Sequence, residues 1–194
     1  IRAPHPESLL RGSLVSPSLQ AVVMNAKYVN AVPLYRQEQE FERYGLHIFG
    51  QNMANRTIRC ADRYLAVLYD CLQEKMYEYH VLQADETPVL VNKDGRPAGS
   101  KSYMWVYRPG RMYADRQIVL YEYQRTRNAS HPREFLKDFS GVCVTDGYQV
   151  YHTIEGERED LRIAGCWSHA RRRFDEAVKA LPKAKHKDSR AYLA

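Results

Sequence analysis

The chain has 194 residues, 44% hydrophobic and 27% charged, with a formal net charge of +6. That is enough chain to bury a proper core, with one domain and room for an appendage as the starting expectation. Its apolar runs are too short to span a bilayer, and no charged start leads into an apolar segment, so neither a membrane span nor a secretory signal is expected in these residues.

The first residue is Ile1 rather than Met, so the chain is expected to be a piece of a longer protein. Four cysteines stand at 60, 71, 143 and 166 without a C-x-x-C pair. That spacing argues against a structural zinc site and a disulfide framework, and for reduced thiols in a cytoplasmic protein. Residues 162–190 hold nine Lys/Arg, among them Arg171, Arg172, Arg173, Lys183, Lys185, Lys187 and Arg190, against three acids, an excess equal to the whole net charge. A polyanion partner and a solvated helix face with its tail both account for such a block.

In chain order, residues 1–17 carry three prolines and a glycine and read as an extended lead-in. Ser18 is placed to cap a helix through Leu19, Val22, Val23 and Ala26, broken by Pro33. A second helix covers Leu34–Tyr44 and stops at Gly45. A third runs from Gln51 or Asn52 to about Tyr77, with Ile58, Ala61, Leu65, Leu68, Leu72 and Met76 as one buried stripe. Helix, turn and helix over 34–77 match a helix-turn-helix outline, which many helical hairpins that bind nothing also share. Three strands come next, Tyr79–Val91, Ser102–Arg108 and Gln117–Tyr123, separated by Asn92–Gly95 and Pro109-Gly110, as in an antiparallel meander. A helix capped by Ser130 and ending near Gly141 leads to the apolar strand Val142–Thr145, parallel to an earlier one. Arg162–Cys166 forms a last strand and Ser168–Ala180 a basic helix broken by Pro182. The expected class is α/β, a mixed sheet with helices packed on it.

The chemistry centres on VLQADETPVLV, residues 81–91, where Asp85-Glu86 interrupts an apolar run. An unpaired buried carboxylate is costly, so the pair is either a strand end meeting solvent or an Arg, or a metal-binding or acid/base group. With both faces of the strand read as buried, alternation does not separate Asp85 from Glu86. Asp146 closes the strand VCVT at its carboxyl end, where open α/β sheets place their sites. If the two strands are neighbours, Asp85 and Asp146 share reach of a hard divalent ion, Mg²⁺ or Mn²⁺, of the kind that handles phosphodiesters.

ADETPV around Asp85, PLYRQEQEFERYG at 33–45, TDGYQVY at 145–151 and GCWSHARRRFDEA at 165–177 together resemble the transposases of the insertion sequence 66 family, over roughly Ser18 to Ala180 and in the family's order. The resemblance implies a ribonuclease-H-like core, here 78–194 after a helical segment 18–77, with an Asp, Asp, Glu set holding two divalent ions, Mg²⁺ or Mn²⁺. It makes Asp85 the first catalytic acid and metal ligand, and Asp146 the second. It implies DNA partners (transposon ends and target), a homo-oligomer on DNA, accessory proteins of the same element, and a bacterial cytoplasmic, nucleoid-associated location. The function so implied is metal-dependent cleavage of element ends and transfer of their 3′-hydroxyls to target DNA.

The family's third acid lies well downstream of the HARRRF helix, so it is expected beyond Ala194, and this piece is expected to bind metal weakly and to be inactive alone. Glu176, thirty residues after Asp146, is the tempting substitute; a surface charge paired with Arg172 or Arg173 is the plainer account. Cys166 and His169 have C-x-x-H spacing, with His169 either near the site or a phosphate, or a structural histidine. Arg171, Arg172 and Arg173 are expected to contact DNA phosphates, and His169 is grouped with them. Tyr148 and Tyr151 read as packing, Tyr121 and Tyr123 as sheet-formers. Two rivals stand beside the enzyme: a non-catalytic DNA-binding or assembly module derived from a transposase and, more weakly, a sugar hydrolase using the two acids.

Overall fold

The computed structural model describes residues 8–92, 94–113, 115 and 117–182. Lys183, Lys185, Lys187 and Arg190 of the basic tail lie outside the described residues, as does the start of the lead-in. The chain divides into two compact units, Ile1–Asp70 and Cys71–Ala194.

In the first unit α1 (Pro17–Tyr28) follows Ser16, whose Oγ accepts the Leu19 N–H at 3.1 Å. The cap is therefore Ser16 rather than Ser18, because Pro17 lacks an N–H and is preset for the first helical position. Then come α2 (Leu34–Arg43) and α3 (Gly50–Cys60), with Gly45 at φ 75° ending the first of these. Glu38 Oε2 accepts the Gly50 N–H at 2.7 Å and ties α2 to the start of α3. Leu10, Val15, Val23, Met53 and Cys60 are buried, and Gln20 Nε2 donates to the Thr57 hydroxyl at 3.0 Å between them.

The long third helix is not continuous. A π-helical turn, Ala61–Leu65, separates α3 from α4 (Ala66–Met76). The expected stripe fails with it: Met76 is buried, but Ile58, Leu65 and Leu68 are exposed, while Met53, Thr57 and Cys60 face inward. One extra residue in a turn rotates the downstream helix by about 100°, so one spacing pattern cannot serve both halves.

The second unit is built on β1 (Val81–Leu90), β2 (Lys101–Pro109), β3 (Leu120–Gln124), α5 (Ser130–Phe135), β4 (Gly141–Thr145), α6 (Gln149–Gly156), β5 (Leu161–Gly165) and α7 (Trp167–Lys179). The sheet order is β3-β2-β1-β4-β5. β1, β2 and β3 pair antiparallel, while β4 runs parallel to both β1 and β5. This is the mixed α/β sheet of a ribonuclease-H-like fold, as expected.

Two elements differ from expectation. α6 leaves no periodic mark in the sequence, because its eight residues bury only Tyr151 and Ile154, too short a run to register. α5 is a single short piece with Ser130 as its first residue, not its cap, and Asn128 Oδ1 accepting the Ser130 N–H at 2.9 Å. It stops at Phe135 because Leu136 and Phe139 turn into the core before the chain reaches Gly141.

The register sorts side chains by face. Leu82, Ala84 and Glu86 of β1 stand beside Pro109, Tyr107 and Trp105 of β2, and Cys143 of β4 stands beside Leu82. This face is closed by α5 and α6: Tyr107 stacks on Phe135 with ring centroids 3.4 Å apart, and Trp105 meets Tyr151 edge-on. The opposite face, with Val81, Gln83, Asp85 and Thr87, is only partly covered. The expectation that both faces of β1 are buried is thus corrected. Apolar residues on both sides of the acid pair suggest a strand covered on both faces, whereas the second face of this central strand forms a groove under the first turn of α7.

Candidate functional site

Consecutive strand residues point to opposite faces, so alternation separates the acid pair after all. Glu86 enters the core, its side chain 1% exposed, whereas Asp85 opens into the groove at 54%. Gln83, Val106, Arg108, Val144, Ser168 and His169 share that groove with Asp85.

Asp146 follows β4 directly. The β1–β4 ladder runs from Val81↔Val142 to Gln83↔Val144, an offset of sixty-one positions. Asp146 stands sixty-one positions after Asp85, the offset of the ladder, and each acid comes two residues after its strand's last paired residue in that ladder. Thus β1 and β4 are the neighbours that the shared site requires.

The two carboxylates are held alike. Asp85 Oδ1 accepts the Glu86 N–H at 3.0 Å, and Asp146 Oδ1 accepts the Tyr148 N–H at 2.9 Å across a turn in which Gly147 has φ 87°. Each Oδ2 faces a basic side chain: His169 Nε2 lies 3.8 Å from that of Asp85, and Arg127 Nη2 3.6 Å from that of Asp146. His169 is brought there by α7. The Cys166 N–H donates to Thr145 O at 2.8 Å, fixing the start of that helix to the end of β4. Burial raises the Cys166 thiol, but hydrogen bonds from the His169 main chain and side chain and from Ser168 outweigh it and hold it below its ordinary value.

Arg127, on the loop between β3 and α5, had no signal in the sequence. Its Nε donates to Glu86 Oε1 at 2.6 Å, Nη2 reaches the same oxygen, and its guanidinium lies 3.8 Å over the Tyr148 ring. Tyr148 OH donates to Arg127 O at 3.0 Å, and Tyr151 OH approaches Glu86 Oε2 at 3.5 Å. Burial pushes the Glu86 carboxyl up despite Arg127, with Asp146 and Asp85 adding to the rise. Burial outweighs the ion pair because Glu86 is enclosed while Arg127 keeps partial access to water.

A second groove joins Asp146 to Cys166, Trp167, Ala170, Arg173 and Phe174. Arg173 therefore lies near Asp146, while Arg171 and Arg172 are exposed elsewhere on α7. Glu176 is exposed too, and the ion pair on this helix is Lys179 with Asp175 at 2.6 Å, rather than Glu176 with Arg172 or Arg173.

Among the described residues no group of three or more His, Cys, Asp or Glu is gathered to hold a metal. The chemistry of two aspartate side chains suits a hydrated divalent ion such as Mg²⁺ or Mn²⁺, which needs only one or two protein oxygens beside water and phosphate. Glu86 does not join them, being on the other face and engaged with Arg127.

Two curated relatives, the uncharacterized proteins y4qI and y4jD of Sinorhizobium fredii (strain NBRC 101917 / NGR234), are 31% and 30% identical over 90% and 92% of this chain. The chain spans about a third of their length, 34% and 36% respectively. The crystal structure of a pre-cleavage Mos1 transpososome aligns over 93% of this chain and 68% of that one, at 10% identity and a TM-score of 0.31, a likeness too loose to carry an argument. The family model described as "Transposase IS66 family" matches residues 12–193, nearly the whole sequence. With that match over both units, the chain belongs to the IS66 transposase family.

Proposed function

We propose that this chain is the part of a DNA transposase that supplies the first two metal-binding carboxylates, Asp85 and Asp146, for cleavage of element ends and transfer of the 3′-hydroxyls into target DNA. The observation that supports it best is the parallel pairing of β1 with β4 at an offset of sixty-one, which is also the separation of Asp85 from Asp146, with each acid opening into a groove at the start of α7. Divalent ions bound there polarise a phosphodiester and ease deprotonation of the attacking water or 3′-hydroxyl. In this reading Asp85 and Asp146 present oxygens to Mg²⁺ or Mn²⁺, and Arg173, close to Asp146, takes a backbone phosphate of the bound strand. Arg171 and Arg172 add phosphate contacts that set position without reading sequence, and His169 orients Asp85. The third carboxylate belongs to the part of the longer relatives that this chain does not span, and the assembled enzyme acts as an oligomer on its DNA.

In the full-length protein, Asp85→Asn or Asp146→Asn is expected to abolish Mg²⁺-dependent cleavage and joining of element ends while leaving end binding in a gel-shift assay intact. Unchanged strand transfer by either variant would falsify the proposal. Salt-dependent duplex binding with no metal-dependent nicking in the complete chain would favour a non-catalytic DNA-binding module instead.

A further inference from the structure

Glu86 is an acid without a ligand's position, and Arg127 is a loop residue with unusually many restraints. The Arg127 guanidinium is gripped by Glu86 from β1, stacked on Tyr148 from the turn after β4, and set 3.6 Å from Asp146 Oδ2. Its own carbonyl is fixed by the Tyr148 hydroxyl at 3.0 Å. A free Arg side chain samples many rotamers, so several partners must hold it to keep one pose. Those partners converge on the side of Asp146 that its main-chain hydrogen bond leaves open: Oδ1 is committed to the Tyr148 N–H and Oδ2 looks at Arg127.

We propose that Arg127 is a positioning residue for Asp146, with the buried Glu86 as its anchor. The carboxylate of Asp146 would otherwise turn about its side-chain torsions on the loop that leaves β4. Arg127 limits that turning from one side and Tyr148 N–H from the other, so the carboxylate meets an ion in one orientation. Glu86 acts through Arg127 alone: one of its oxygens receives the guanidinium, the other faces Tyr151 OH, and its side chain lies on the sheet face away from the Asp85 groove. This rests on the metal-binding role proposed for Asp146.

The test is Mn²⁺ binding to the full-length protein, read by the loss of the free-ion electron paramagnetic resonance signal, with thermal melting to confirm folding. Two variants preserve local charge while removing the forked geometry. Arg127→Lys keeps the cation but is one bond shorter and loses the grip of Nε and Nη2 together on Glu86 Oε1, as well as the planar stack on Tyr148. The pair Glu86→Gln with Arg127→Gln replaces a neutral ion pair by a neutral amide pair, and serves if the lysine variant does not fold. Each is expected to weaken Mn²⁺ binding about tenfold, as outer supports of metal ligands do. A neighbour acting by charge alone leaves both variants at the parental Kd, and unchanged or tighter binding overturns the proposal. A parent protein whose Mn²⁺ binding is indifferent to Asp146→Asn shows instead that the metal reading has failed, and this inference with it.

Discussion

Replacing Gly141 with alanine is expected to do more damage than any other single methyl addition at a glycine of this chain. Gly141 opens β4 at φ 144°, a backbone conformation that side-chain-bearing residues rarely adopt. An added Cβ would lie 2.4 Å from His80 O and 3.1 Å from Phe139 Cζ. The first of these is main chain, and it accepts the Val142 N–H at 2.9 Å where the β1–β4 ladder starts, so it cannot withdraw without opening the sheet. Strain at such a backbone position costs about 1–3 kcal/mol and overpacking a filled site a further 1–3. The sum, about 2–6 kcal/mol, is a large part of the roughly 5–15 kcal/mol that holds an ordinary domain together. With a urea slope of about 2 kcal/mol/M, the midpoint falls by about 1–3 M. Fluorescence of the buried Trp105 follows the sheet unit in that titration. Gly156→Ala is the control: it ends α6, nothing lies within 4 Å of its added Cβ, and it should gain about 0.4–1 kcal/mol. Equal midpoints for Gly141→Ala and the parent would refute the close approach of β4 to the start of β1, and with it the register that pairs these two strands.

Two further outcomes are expected. Burial raises the Glu122 carboxyl above its usual 4.5, and its Oε2 has no hydrogen-bond partner among the described residues, so the folded state binds a proton there more readily than the unfolded chain. Stability tied to this group is therefore present at low pH and is lost as pH rises above about 4.5 towards the raised folded value. Glu122→Gln should match the parent in acid and surpass it at pH 7, and a constant difference across pH-dependent denaturation curves would contradict this. Burial pushes the Cys143 thiol up to about 12, whereas Cys166 lies below its ordinary 9.0. Iodoacetamide at neutral pH should therefore label Cys166 well before Cys143, with peptide mass spectrometry as the readout; comparable labelling of both in the folded protein would show the Cys143 site to be open.

Much of this protein is determined by local sequence. Pro33, Gly45 and Pro109-Gly110 punctuate the elements where expected, since φ restriction and missing N–H groups act within a residue or two. Alternating and branched residues gave the meander and VCVT a strand, because burial of apolar side chains acts on each segment by itself, and the helix before VCVT made it parallel to an earlier strand. The four family motifs carried Asp85 and Asp146 as residues.

What the sequence could not hold are facts about which segments meet. A π-helical turn moved the apolar phase of the long helix, since a single extra residue in a turn leaves no compositional mark. Only the pairing of β1 with β2 and β4 decides which face is closed, and therefore sends Glu86 into the core and Asp85 into the groove. Arg127 is forty-one residues from Glu86 in the chain yet bonded to it, a contact made by sheet order and not by any neighbour in sequence. Local sequence supplied the acids of this transposase-family chain, and tertiary pairing set Glu86 and Asp85 on opposite faces of the sheet.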